Sequence, residues 1–97
     1  MAFEIEVTRQ AESDLDAIKR FYRNQILDAM EAILIHNPQR ISRSRIRRLR
    51  GVTSPGYRLR VGDFRVFYDV DGAERRVTIL RVVSKEEALK YLEGIEK

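Results

Sequence analysis

The chain has 97 residues, 43% of them apolar and 35% charged, with a net charge of +4; that length suits one hydrophobic core, so one domain spanning 1–97 is expected rather than two. It contains no cysteine, which excludes a disulfide framework and a thiolate metal site, and neither metal nor redox cofactor is signalled. No apolar run is long enough to cross a bilayer and the first residues lack a signal-peptide layout, so a cytoplasmic protein is expected.

Residues 2 to 7 alternate, with Phe3, Ile5 and Val7 opposing Glu4 and Glu6, which predicts a half-buried first strand. Thr8 is placed to cap a helix over about 9–22, where Ala11, Leu15, Ile18 and Tyr22 recur at helical spacing and Glu12 and Asp14 suit the positive end of the helix dipole. After Arg23-Asn24 a second stripe, Ile26, Leu27, Met30, Ile33 and Leu34, predicts another helix. Asn37-Pro38 ends it, because a residue before proline avoids helical backbone. Helices joined so briefly are expected to pair as an antiparallel hairpin. His36, the sole histidine, stands near a helix end where a cation suits the dipole, so a structural or surface role is expected, and a two-histidine ribonuclease mechanism is excluded.

Residues 37 to 60 carry the whole charge excess. They hold eight arginines (Arg40, Arg43, Arg45, Arg47, Arg48, Arg50, Arg58 and Arg60) and no acid, whereas residues 1–36 balance at −3 and residues 61–97 at −1. Flat guanidinium groups without neighbouring carboxylates fit bidentate contact with phosphate, or with an acidic protein, better than a solvated salt-bridged surface. Ser54-Pro55-Gly56 then marks a turn.

From Tyr57 the period is two. Tyr57, Leu59 and Val61 oppose Arg58 and Arg60, Gly62-Asp63 permits a turn, and Phe64, Val66, Tyr68 and Val70 oppose Arg65, Phe67 and Asp69. Tyr57, Phe64 and Tyr68 should therefore be core, while Phe67 shares the arginine face and is the candidate for stacking on a base. Asp71-Gly72 is a hairpin turn dipeptide, and residues 77 to 83 are apolar on both faces, as a strand covered on each side would be. Ser84-Lys85-Glu86-Glu87 has the layout of a capping box before a last helix that buries Ala88, Leu89, Leu92 and Ile95. The order predicts an α+β fold: an N-terminal strand and helical hairpin packed on a small antiparallel sheet, with a C-terminal helix.

The segment Tyr57-Arg58-Leu59-Arg60-Val61-Gly62-Asp63-Phe64-Arg65-Val66-Phe67-Tyr68 closely resembles the middle hairpin of the RelE/ParE toxins, commonly Y-R-L-R-V-G-D-Y-R-V-I-Y, and the element order is similar over almost the whole chain. The resemblance implies the RelE-like microbial RNase fold and a toxin of a type II toxin-antitoxin system, held silent by an acidic antitoxin protein. In the RelE-like branch it implies a ribosome-dependent mRNA endonuclease that inhibits translation. In the alternative it implies a ParE-like, non-enzymatic inhibitor of DNA gyrase, or a non-toxic relative that only binds antitoxin. Carried over by position, Arg60, Arg65, Lys85 and Tyr91 are the catalytic candidates, and Arg45, Arg47, Arg48, Arg50, Arg58, Phe67 and Arg81 the RNA-binding ones. The chain departs from many nuclease members where a G-H-R or G-K-R motif would stand, reading Val83-Ser84-Lys85-Glu86-Glu87 instead.

RNA cleavage without metal proceeds by attack of the 2′-hydroxyl on its own phosphate. It needs a proton acceptor, cations for the extra charge, and a donor to the leaving oxygen. Arginine stays protonated, so Arg60 and Arg65 suit the second need alone. Lys85 and Tyr91 are the candidates for proton transfer, with neighbouring arginines expected to lower their pKa values.

Overall fold

The computed structural model describes residues 2–95. Its elements are β1 (Glu4–Val7), α1 (Arg9–Ala17), α2 (Arg20–Ala29), a π-helical turn over Met30–Leu34, β2 (Ile46–Arg48), β3 (Tyr57–Val61), β4 (Phe64–Asp71), β5 (Arg76–Ser84) and α3 (Lys85–Ile95). The strands form one sheet in the order β1-β5-β4-β3-β2. β2 to β5 are antiparallel neighbours, and β1 joins the outside of β5 in parallel. The α+β class is as expected. The sheet is mixed rather than purely antiparallel, and β2 adds a strand within the arginine-rich stretch.

The alternation in β3 and β4 divides the side chains between two faces. Tyr57, Leu59, Val61, Val66 and Tyr68 join Val77, Ile79 and Val82 under Ala11, Leu15, Ile26, Met30 and Leu34 of the first two helices. On the opposite face Phe67 and Val83 lie beneath Ala88 of α3, with Leu49, Tyr91 and Leu92 around them. In β5, Arg81 pairs with Phe67 but Ile79 pairs with Tyr68, so Leu80 is an inserted residue. Such a bulge shifts the side-chain parity of a strand. It lets Val77, Ile79 and Val82 share one core while Val83 meets α3, which is why residues 77 to 83 read as apolar on both sides.

The helical region differs from the sequence reading. The break falls at Ile18 and Lys19, both with extended backbone, not after Arg23-Asn24. Tyr22 consequently lies in the first turn of the second helix and is exposed, touching Phe64 at 5.7 Å between ring centroids. α1 packs chiefly on β5, and α2 on β3, so each helix rests on the sheet rather than principally on the other. Thr8 caps α1 by accepting the Ala11 N–H at 3.2 Å. Ser84 caps α3 by accepting the Glu87 N–H at 3.2 Å.

Two contacts fix the loops around the sheet. The buried Tyr68 hydroxyl donates to the Pro38 carbonyl at 2.6 Å, and its ring stacks on Tyr57 at 5.4 Å; burial raises the phenol's pKa well above its ordinary value. Asp69 accepts hydrogen bonds from the Gly56 N–H and the Ser54 hydroxyl, tying the turn before β3 to β4. No helix among the described residues is long and apolar enough to cross a membrane.

Candidate functional site

The strand register brings the arginines of separate strands together. Across the sheet, Arg47 faces Arg58 and Arg58 faces Phe67, while one step along, Arg60 faces Arg65 and Arg65 faces Val83. The Arg60 N–H donates to the Arg45 carbonyl at 2.8 Å, which adds Arg45 to the second row. Paired strands lie ~4.8 Å apart, so cations at matched positions become neighbours. The approach to β2 is shaped by Ser42, whose hydroxyl accepts the N–H groups of Arg45 and Ile46 at 3.1 and 3.3 Å. The outcome is a cavity of about 90 Å³ walled by Arg43, Arg45, Arg47, Arg58, Arg60 and Arg65, with Ser42 and Ser44 at its side.

The cluster is electrostatically uncompensated. Burial is the first cause that lowers the pKa of Arg58, followed by repulsion from Arg47, Arg65 and Arg60. Arg58 Nε is buried and has no hydrogen-bond partner among the described residues. Arg65 Nη1 donates to the carbonyls of Gly62 and Phe64 at 3.0 and 2.9 Å, so its own turn holds it in place. Burial and then Arg60 lower its pKa, against the opposing pull of Asp63 and Glu86. Guanidinium remains charged despite such shifts. The ion pairs among the described residues are Arg76–Glu6, Arg81–Asp14 and Lys85–Asp63, none of which involves the cavity arginines. A buried N–H without an acceptor costs about 1–3 kcal/mol, and an anion in the cavity would relieve it.

Other expected site residues lie elsewhere. Arg48 points away from the cluster, its guanidinium 4.9 Å from the Tyr57 ring centroid. Arg50 is exposed after β2 and does not wall the cavity. Phe67 shares the arginine face as expected but is 0% exposed, packed against Tyr91 at 4.9 Å. Covered by α3, it offers no ring face to a base. Arg81 is committed to Asp14 through two hydrogen bonds of 2.8 and 3.2 Å, and its guanidinium lies 5.4 Å from the Tyr91 ring. Asp14 also accepts the Val82 N–H at 2.9 Å. It does so beyond the point where β1 stops pairing with β5, at Val7, so a carboxylate from α1 continues the edge that the strand leaves open.

The two proton-transfer candidates are separated. Tyr91 is half-buried, and that burial raises its pKa, with Arg81 pulling the other way; the lowering expected from arginine neighbours does not prevail. Lys85 is exposed and lines a cleft of about 320 Å³ together with Arg58, Arg65, Glu86, Leu89 and Leu92. The Lys85 N–H donates to the Asp63 carbonyl at 2.8 Å, which pins the start of α3 to the β3–β4 turn. Arg43 and Ser44 were not singled out as site residues. Both lie in the acid-free run, but only the Ser42 turn shows that they reach the cavity.

A sheet in this order, with two helices on one face and a partly covered arginine face opposite, is the fold of the RelE/ParE toxins. The chain belongs to the ParE toxin family of type II toxin-antitoxin systems (parDE), whose family model matches residues 5–89. No curated protein sequence matches it. Among solved structures, the toxin-antitoxin complex RelBE2 from Mycobacterium tuberculosis contains a chain with TM-score 0.73 and 23% identity, covering 87% of this chain and 99% of that one. A chain of the archaeal RelE-RelB complex from Pyrococcus horikoshii has TM-score 0.71 and 23% identity, covering 88% and 97%. A double arginine-to-alanine variant of E. coli RelE in the free state has TM-score 0.72 and 22% identity, covering 99% and 97%. At these identities the structural likeness concerns the fold.

Proposed function

We propose that this type II toxin cuts messenger RNA on the ribosome, with Arg58, Arg60 and Arg65 clamping the scissile phosphate. The observation that carries the reading is the cavity in which arginines from three segments converge without a carboxylate partner, one of them with a buried N–H lacking an acceptor. Such preorganised donors favour the extra negative charge of a pentacoordinate phosphate more than the ground state, which is the condition for catalysis. The 2′-oxygen forms a bond to phosphorus as the bond to the 5′-oxygen breaks, giving a cyclic phosphate and a free 5′-hydroxyl. Lys85, which shares a cleft with Arg58 and Arg65, donates the proton to the leaving 5′-oxygen. Water or ribosomal RNA takes the proton of the attacking hydroxyl.

An acidic antitoxin segment is the partner proposed for the same face. It is supported by the acid-free run 37 to 60 and by relatives solved as RelE-RelB complexes. Its affinity falls steeply with salt. The test of the nuclease is mapping of message ends on stalled ribosomes. Wild-type toxin cleaves, Arg65→Ala lowers the rate by about 10²-fold, and a 2′-deoxy nucleotide at the cut blocks it. An intact message with active wild-type toxin would refute this reading. The second reading, a DNA gyrase inhibitor, is favoured by the match to the ParE family model. Loss of gyrase supercoiling without RNA cleavage would establish it instead.

A further inference from the structure

A second depression adjoins the arginine cavity. It is a groove of about 630 Å³ between α2 and the β2–β3 edge, and Ser44, Arg45 and Arg60 line both spaces. Its floor is apolar, formed by Ala29, Ala32, Ile33 and Val61. Ala32 and Ile33 belong to the π-helical turn over Met30–Leu34. Such turns occur frequently at functional sites; this one buries Met30 and Leu34 in the core and turns Ala32 and Ile33 to the groove. Asp28 lines the helix side, with Gln25 one turn before it. The Asp28 carboxylate enters no hydrogen bond or ion pair among the described residues.

We infer that this groove is a nucleobase subsite, and that its hydrogen-bonding groups fit guanine. The inference rests on the reading of the arginine cavity as a phosphate clamp. An RNA strand with one phosphate in that cavity has an attached nucleoside within reach of the groove, since Arg45 and Arg60 border both. The apolar floor accepts a flat ring. Guanine is the base that presents a pair of adjacent N–H donors on one edge and a pair of acceptors, O6 and N7, on another. The Asp28 carboxylate complements the donors, and the Arg45 guanidinium complements the acceptors. Adenine would set its amino group against Arg45 and offer Asp28 one donor edge fewer. A good bidentate contact discriminates by about 1–3 kcal/mol, or roughly five- to 150-fold.

The experiment measures fluorescence anisotropy with short 2′-O-methyl RNA oligonucleotides, which resist cleavage, carrying one guanine or one adenine in an otherwise uridine strand. Wild-type protein is expected to bind the guanine strand about tenfold more tightly. Asp28→Asn replaces an acceptor by a donor on an exposed helix position and brings the guanine-to-adenine ratio to about one. Ala32→Phe fills the groove and does the same. The ratio cancels any general gain in affinity from removing a negative charge. Arg58→Ala weakens both strands alike. If binding depends on Arg58 but the ratio is near one in wild type, or survives Asp28→Asn, the subsite is wrong and the phosphate clamp stands. If neither strand binds in an Arg58-dependent way, the clamp and the subsite fall together.

Discussion

Replacing Arg58 by methionine should make the protein more stable while weakening RNA binding. Arg58 stands directly opposite Arg47 in the β2–β3 pair, and a like-charge pair at that position costs about 0.2–1 kcal/mol. Its Nε is also buried without a partner, a loss of about 1–3 kcal/mol in a dry interior. The residue is half-buried, so solvent screening reduces both contributions. Methionine keeps the aliphatic stem against the neighbouring strand and removes the charge. The net gain is about 1 kcal/mol, equivalent to a rise in Tm of roughly 4–8 °C for a chain of this size. Thermal unfolding followed by circular dichroism, at about 0.15 M and about 1 M salt, reads the effect. Salt shortens the screening length from ~8 to ~3 Å, so wild type should gain stability from salt and Arg58→Met should gain less. A lower Tm in the variant, or parallel salt responses, would show that the cluster stores no repulsion and would remove the argument for an anion site.

Asp14→Ala leaves Arg81 and the Val82 N–H without their acceptor and should cost about 2–3 kcal/mol in urea unfolding, whereas Glu6→Ala, from an exposed pair with Arg76, should cost less than ~1 kcal/mol. Burial alone would raise the Asp14 pKa, but hydrogen bonds from Arg81, Val82 and Gln10 together hold it below its ordinary value of 3.8. Its contribution is therefore present above that value and lost as pH falls through the lower folded pKa; acid titration of stability should be shallower in Asp14→Asn. Tyr68→Phe strands the Pro38 carbonyl and should cost about 1–2 kcal/mol. The raised Tyr68 pKa means that wild type loses stability as pH climbs above ~10, and the phenylalanine variant should lose less in an alkaline unfolding series. In message cleavage, Tyr91→Phe should be nearly silent because the ring stays packed on Phe67, while Lys85→Ala should slow the reaction; the reverse order would move the proton donor to Tyr91.

Alternation and punctuation made most of the elements legible in the sequence. Thr8 and Ser84 announce helix starts, Gly62 provides the positive φ of 56° at the β3–β4 turn, and of the inward set Tyr57, Leu59, Val61, Phe64, Val66, Tyr68 and Val70 all are buried except Phe64 and Val70, which are partly buried against the same core. The helix break was not legible, because Ile18 fits the helical stripe as well as the extended turn it adopts. Neither was β2, whose arginines read equally well as linker.

The candidate site divides along the same line. Local sequence determined that guanidinium groups crowd one stretch without carboxylates and that Arg58, Arg60 and Arg65 share a sheet face. Only the tertiary structure decided which cations meet, because face is a property of a strand's two-residue period and neighbourhood is a property of register between strands. Arg81 shows the difference. Its chemistry matches that of the clamp, yet a carboxylate 67 residues earlier in the chain holds it, and no pattern within β5 foretells a partner that arrives from α1.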